Sequence, residues 1–334
     1  MKYQTAVVIG KFYPPHRGHH FLIETAFATS ARVHVIVCAK PSDTIPGDLR
    51  GDWLREVHPT ADVMVIDDRY DEHDSRVWAE NTIRWLGHAP EVVFTSEDYG
   101  DAYARHMNCA HVQVDKARAR VPCSGTMIRR DPYAQWQFLA PPVRGWFSKR
   151  VCVLGAESTG TTTLAEDLAA TLQTCWVAEY GREYSAMKHA RGETTWQTSE
   201  FVDIAREQSR RENEQAKQAN RILICDTNAF ATTFWHRRYM ASRSSTVEAI
   251  AAAGKCDLYL LTGDEIPFVQ DGLRDGEDIR HEMHRWFETA LANQPVPWRM
   301  VSGSRQERIE ISLRAIASLF ADSQWQPGKQ RFMS

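Results

Sequence analysis

The sequence predicts two α/β domains in tandem, each a parallel sheet covered by helices. Three observations carry this. Short β-branched runs alternate with segments of helical period from Thr5 to Asp115, a proline-rich stretch interrupts the pattern near Pro141, and a second strand-first series opens at Arg150 with a Gly-rich turn. A chain of 334 residues is long enough for two such cores.

In the first half, Thr5–Gly10, Arg32–Ala39, Asp62–Asp67, Glu91–Ser96 and His111–Asp115 read as strands. Helical periodicity marks His19–Ser30, Leu49–Val57, Ser75–Leu86 and Asp101–Met107. A sheet of this kind opens its ligand crevice at the carboxyl ends of its strands. In Ala140–Gly145, two prolines and a glycine stop any helix, which suits a connector. The expected limits are therefore 1–140 for the first domain, 141–149 for the linker, 150–325 for the second domain and 326–334 for a tail. In the second half, strands are expected at Arg150–Leu154, Cys175–Glu179, Arg221–Asp226, Leu258–Thr262 and Arg299–Ser302, with helices near Thr162–Leu172, Ser199–Ala219 and Glu277–Ala292.

Composition narrows the function classes. At 43% hydrophobic and 25% charged the chain reads as an ordinary soluble protein, and 40 Lys and Arg against 43 Asp and Glu leave a net charge of -3, so no basic field draws nucleic acid. The apolar run Ala6–Ile9 is too short for a signal-peptide core, and no stretch approaches a membrane span, so neither a membrane nor a nucleic acid is expected as partner. Seven scattered cysteines without metal or redox spacing read as reduced thiols, and a cytoplasmic location is expected. Oligomeric state is left open.

Strand Thr5–Gly10 runs into Gly10-Lys11-Phe12-Tyr13-Pro14-Pro15-His16-Arg17-Gly18-His19. Helix N-termini attract phosphate, Gly18 lets an anion approach the backbone, and His16 and His19, three apart, can face the same way on the first turn. The segment resembles the H-x-G-H nucleotidyltransferases, which move a nucleotidyl group from a triphosphate and release pyrophosphate. Ser124-Gly125-Thr126-Met127-Ile128-Arg129 resembles the Ser-x-Thr-x-x-Arg element that the superfamily's adenylyltransferases carry at a helix N-terminus. Taken alone, it is a serine N-cap with an exposed arginine. The resemblance implies a Rossmann-like domain in which His16 and His19 steady the α-phosphate while Lys11 and Arg129 hold the leaving phosphates, with Gly10, Phe12, Gly18, Ser124 and Thr126 around ATP and Mg²⁺ bridging its phosphates.

The second Gly-rich turn is Gly155-Ala156-Glu157-Ser158-Thr159-Gly160-Thr161-Thr162-Thr163. It meets the P-loop pattern G-x-x-x-x-G-K-[ST] at both glycines and at Thr162, but Thr161 stands where the lysine belongs. Gly155, Ser158, Thr159, Gly160, Thr161, Thr162 and Thr163 are thus candidate phosphate contacts. Asp226, at the end of a strand, resembles a Walker B carboxylate that would hold Mg²⁺ together with Thr162. Pro267–Arg280 has the glycines of a kinase lid, and Arg274 and Arg280 are candidates to close over the phosphates.

Gly10–His19, Phe94–Gly100, Ser124–Arg129 and the P-loop half together resemble the NadR-type bifunctional proteins, which join a nicotinamide mononucleotide adenylyltransferase to a ribosylnicotinamide kinase. This resemblance covers nearly all residues. It implies ATP, nicotinamide mononucleotide, nicotinamide riboside and NAD as small-molecule partners, and a P-loop kinase-like second domain. By the same resemblance Trp78 would stack on a pyridinium ring, although a core tryptophan is an equal reading of an amphipathic helix. Glu179-Tyr180-Gly181-Arg182-Glu183-Tyr184 resembles the family's riboside segment. Glu179 or Glu183 would accept from ribose hydroxyls and Tyr180 would face the pyridinium, with salt bridging to Arg182 the simpler alternative. No helix-turn-helix segment precedes Thr5, so no repressor role is expected. Two alternatives stay open: a catalytically silent, nucleotide-sensing P-loop domain, and nucleotidyl transfer to a different phosphate monoester.

Overall fold

The computed structural model describes residues 2–71, 73–269 and 276–327. The chain divides into two compact units, Met1–Val143 and Arg144–Ser334.

The first unit runs β1 (Tyr3–Gly10), α1 (Arg17–Thr29), β2 (Ser30–Ala39), α2 (Gly47–Val57), β3 (Asp62–Asp67), α3 (Ser75–Leu86), β4 (Val92–Thr95), α4 (Gly100–Met107), β5 (Ala110–Gln113) and α5 (Gly125–Arg130). Its five strands are parallel in the order β3-β2-β1-β4-β5. The period-2 geometry of β1 divides its residues between two cores. Ala6 and Val8 pack with Phe12, Leu22 and Ile23 of the α1 side, while Val7 and Ile9 pack with Ala79, Tyr103 and Met107 of α3 and α4. Because β1 has β2 on one side and β4 on the other, the chain reverses its direction of winding beside β1, and that is where such sheets open a ligand crevice.

α6 (Pro141–Phe147) then leads into the second unit. The sequence reading expected no helix there. Pro141 and Pro142 occupy the first two helical positions, where an N–H has no intrahelical partner to lose and a fixed φ favours the turn. At the other end Lys255 Nζ donates to the carbonyls of Trp146 (2.7 Å) and Ser148 (2.9 Å), so the helix end is capped by a residue distant in sequence.

The second unit continues with β6 (Lys149–Leu154), α7 (Thr161–Leu172), β7 (Trp176–Val177), α8 (Tyr180–Ala190), α9 (Thr198–Gln218), β8 (Ile222–Asp226), α10 (Ala229–Met240), α11 (Ser245–Ala253), β9 (Leu258–Thr262), α12 (Arg280–Ala292), β10 (Trp298–Val301) and α13 (Arg305–Ser318). Its strands are parallel in the order β10-β9-β6-β8-β7. The near-continuous apolar runs of β6, β8 and β9 are buried on both faces, as a helix-covered parallel sheet requires. The expected strand Cys175–Glu179 shrinks to Trp176–Val177, and α12 begins at Arg280, not Glu277. All seven cysteines are free.

Candidate functional sites

In the first unit the H-x-G-H segment turns from β1 into α1. His16 is the N-cap of α1, and its Nδ1 accepts from the Gly18 N–H at 3.1 Å, with the Cys123 thiol 3.4 Å away. An acceptor at Nδ1 places the ring proton on Nε2. The His16 and His19 rings stack at 3.7 Å, and Phe12 meets His19 edge-on at 4.9 Å. Burial, helped by the nearby charge of Arg118, pushes His16 down to about 4. Burial first and then the other imidazoles push His19 well below its ordinary value. Both rings are therefore neutral N–H donors at pH 7, and the buried Nδ1 of His19 makes no hydrogen bond.

Ser124–Arg129 is brought against this turn. Ser124 caps α5 by accepting from the Met127 N–H at 3.2 Å. The Arg129 guanidinium donates to the Tyr13 carbonyl (2.5 Å) and to Thr126 Oγ1 (3.2 Å), and it lies 4.8 Å from the centre of the Tyr13 ring. Gly125 is needed for this approach, since a Cβ there would stand 2.9 Å from the Tyr13 carbonyl oxygen. Lys11 is exposed at the end of the same strand.

Arg50 escaped the sequence reading, which placed it only within an amphipathic helix. It is fully buried, pairs with Asp43 at 2.7 Å and donates to the carbonyls of Lys11 and Cys38 beneath the turn. A buried arginine satisfying the loop's carbonyls fixes the loop's shape. Trp78 is half-buried, gives its indole N–H to the Asp71 carbonyl at 2.9 Å, and packs edge-on against Tyr70 and Trp85. Those contacts are what an amphipathic helix provides to a core tryptophan. Asp74, in the acidic run before α3, caps that helix through the Val77 N–H.

In the second unit the P-loop leaves β6 and enters α7. Gly155 admits no side chain, because a Cβ would lie 2.1 Å from Thr262 Oγ1 and 2.3 Å from Thr159 Oγ1. Thr262 donates to Thr159 at 2.7 Å, Thr159 to the Ala156 carbonyl at 2.7 Å, and Arg308 Nη1 to the Thr159 carbonyl at 2.7 Å. Thr262 and Arg308 thus support the loop from behind, and no motif flagged either one. Thr162 Oγ1 donates to Asp226 Oδ2 at 2.6 Å, while Asp226 Oδ1 is buried without a partner.

A cavity of about 180 Å³ opens onto the loop, lined by Gly155–Ser158, Gly160–Thr163, Glu179, Arg182, Gln208 and an aromatic wall of Trp196, Phe201, Trp235 and Tyr239. Burial first, then the charge of Asp226, pushes Glu179 up to about 8, and burial raises Asp226 as well. The aromatic wall carries no chemical motif, so the sequence reading missed it. Its tightest ring pair is Trp196 and Phe201 at 5.0 Å, and Tyr239 is 5.2 Å from Trp196.

Not every expected residue reaches this cavity. Glu183 is paired with Arg211 at 2.6 Å, and the Arg211 guanidinium covers the Tyr180 ring at 4.3 Å; neither Glu183 nor Tyr180 lines the cavity. The simpler salt-bridge reading holds for Glu183, with Arg211 as the partner in place of Arg182. Arg280 is 5% exposed and donates to the carbonyls of Asp264 and Ile266, so its guanidinium braces the backbone after β9 where a closing lid cation was expected. Arg274 lies outside the described residues. Among the described residues no group of three or more His, Cys, Asp or Glu could hold a metal ion.

A parallel-sheet unit with H-x-G-H at its first strand, followed by a parallel-sheet unit with a P-loop, defines a two-domain nucleotide-dependent transferase. A cytidylyltransferase-like family model matches residues 7–131 and an AAA-domain model matches 150–308. Over 293 residues the chain is 29% identical to the Trifunctional NAD biosynthesis/regulator protein NadR of Escherichia coli (strain K12), which covers 80% of this chain and 71% of that protein; the Salmonella typhimurium protein of the same description matches equally. Two solved structures share the fold. A NadR protein in complex with NR superposes with a TM-score of 0.78 at 21% identity, covering 95% of this chain and 96% of the other. A NadR protein in complex with NAD and AMP-PNP gives 0.70 at 20% identity, covering 93% and 96%. The chain is thus similar to the NadR proteins across both units and in their order.

Proposed function

We propose that the first unit transfers the adenylyl group of ATP to nicotinamide mononucleotide, giving NAD and pyrophosphate, and that the second phosphorylates nicotinamide riboside to that mononucleotide. The observation that carries the proposal is the coexistence on one NadR-like chain of the stacked His16–His19 pair and a P-loop cavity with an aromatic wall and an acidic floor. A cationic pyridinium ring suits such a wall, and ribose hydroxyls suit Glu179.

In adenylyl transfer the mononucleotide's phosphate oxygen attacks the α-phosphorus and pyrophosphate leaves with the electron pair of the broken bond. The nucleophile is already anionic, so no general base is required. His16 and His19 act as neutral donors to the α-phosphate oxygens while charge builds there, and Lys11 and Arg129 hold the leaving phosphates. In the second unit the Thr162 hydroxyl and the unpartnered Asp226 Oδ1 fit a Mg²⁺ site. When bound, the ion supplies charge neutralisation across the phosphate oxygens. Seven free thiols support a cytoplasmic location.

Thr161 favours a second reading, in which the P-loop unit binds nucleotide without turnover. Incubating the protein with ATP, Mg²⁺ and either the mononucleotide or the riboside, then identifying products by mass, tests both. The proposal expects NAD from the mononucleotide and mononucleotide from the riboside. No NAD from the mononucleotide refutes the first activity; ATP binding at the P-loop without phosphorylated riboside establishes the second reading.

A further inference from the structure

The first N–H groups of a helix have no carbonyl within the helix to bond, and the residue at the N-cap ordinarily supplies an acceptor from its own side chain. Glu179 holds that position in α8 and makes no such bond. It lines the P-loop cavity. The acceptor comes from a different helix, because Gln208 of α9 takes the Tyr180 N–H on its Oε1 at 2.9 Å.

The Gln208 amide is held at both ends. A backbone N–H can only donate, so Oε1 faces Tyr180 and the amide nitrogen is left to donate, which it does to Glu212 Oε1 at 3.1 Å. Gln208 and Glu212 stand one turn apart on α9 and are 2% and 4% exposed, so these bonds are shielded from bulk water. Gln208 lines the same cavity as Glu179. The bonded series from Glu212 through Gln208 to the Tyr180 N–H therefore ends on the residue next to Glu179. An apolar side chain at position 208 leaves a buried N–H without its acceptor, and a carboxylate at the N-cap is the group ordinarily placed to satisfy it. Glu179 then turns back to its own helix and leaves the cavity.

We propose that Gln208 is a positioning residue of the second unit, which caps α8 from α9 and so frees the Glu179 carboxylate to meet the hydroxyls of the riboside. The inference rests on the kinase reading above. Gln208 acts on the riboside through Glu179 and not by touching it, and this separates it from a residue that binds substrate. Removing Gln208 after Glu179 is already gone should therefore cost little, whereas two independent substrate contacts would lose their contributions separately.

The test uses the full chain with ATP, Mg²⁺ and nicotinamide riboside. Gln208→Met, close in volume but unable to cap, should lower kcat/KM for the riboside about tenfold or more while the KM for ATP changes less than about threefold. Glu179→Gln alone should lose about 10²-fold, and adding Gln208→Met to it should cost less than about a further threefold. Glu212→Leu, which removes the acceptor behind Gln208, should lose about fivefold or more, and Glu212→Gln, which keeps an oxygen there, should recover most of that loss. Riboside kcat/KM unchanged in Gln208→Met, an ATP KM that rises in step with the loss, or losses that multiply in the double variant overturn the proposal and leave the kinase reading standing. If Gln208→Met does not fold, as urea titration reports, the pair at position 212 decides, and equal losses in Glu212→Leu and Glu212→Gln overturn the proposal. Absence of riboside phosphorylation in the unaltered protein, with adenylyl transfer to the mononucleotide still running, overturns both.

Discussion

Gly125→Ala isolates the contact that joins the two sequence motifs of the first unit. The added Cβ would stand 2.9 Å from the Tyr13 carbonyl oxygen and 3.1 Å from Arg129 Nη1, whereas an ordinary contact begins at 3.4 Å. The shortfall of about half an ångström must be taken up by backbone at Tyr13, since a carbonyl cannot rotate aside as a side-chain tip can. That carbonyl is the one Arg129 grips at 2.5 Å, so the movement displaces the arginine from the His16–His19 turn. Overpacking of this size costs about 1–3 kcal/mol, and alanine's better helix propensity at the start of α5 returns about 0.8–1 kcal/mol, so net destabilisation stays near 0–2 kcal/mol. Catalysis depends on position more steeply, and a misplacement approaching 1 Å costs on the order of 10²-fold. We therefore expect kcat for adenylyl transfer to fall by about one to two orders of magnitude while the urea midpoint moves little. Unchanged kcat in a folded Gly125→Ala protein would refute the reasoning that this close approach aligns Arg129.

Three further outcomes follow from the same geometry. His16→Ala and His19→Ala should each reduce adenylyl transfer by about 10²-fold or more in a protein that still folds, the loss expected for one transition-state donor; steady-state rates and circular dichroism check this. Thr162→Ala removes the hydroxyl bonded to Asp226 at 2.6 Å and should abolish riboside phosphorylation while leaving adenylyl transfer intact, which the two product assays distinguish. Glu179, raised to about 8 in the folded chain, binds a proton between about pH 4.5 and 8 that the unfolded chain has released. Its contribution to stability is thus greatest below that window and is lost as pH rises through it, so Glu179→Gln should flatten the decline of the second unit's stability between pH 5 and 8 in urea titrations.

The parts legible in the sequence are those in which local chemistry and position coincide. Strands such as Asp62–Asp67 and Leu258–Thr262 were read to the residue because β-branched runs bounded by turns specify themselves. The two Gly-containing turns were legible for the same reason, since backbone geometry and phosphate chemistry there demand particular residues at fixed spacing. What stayed hidden depends on contacts made at a distance. Arg50 has no motif and is recognised only by the carbonyls of Lys11 and Cys38 around it. Trp196, Trp235 and Tyr239 come from α9's approach and from α10, and their periodicity is that of any core face, so only the fold reveals that they line one cavity. Pro141–Phe147 is a helix where the sequence suggests a connector, because prolines break helices in their interiors yet suit their first turn. Glu183 and Tyr180 were assigned from a segment whose spacing suits the riboside side, and Arg211, on the distant helix α9, claims both.

Label tracing decides whether one chain carries both transfers. The unaltered protein is given nicotinamide riboside and ATP labelled with ³²P in separate preparations at the α- and at the γ-phosphorus. If one chain carries both, NAD is labelled from both preparations, with the γ-label in the phosphate added to the riboside and the α-label in the adenylyl half. NAD formed from added mononucleotide with the α-label, together with no γ-label in any riboside product, would contradict it.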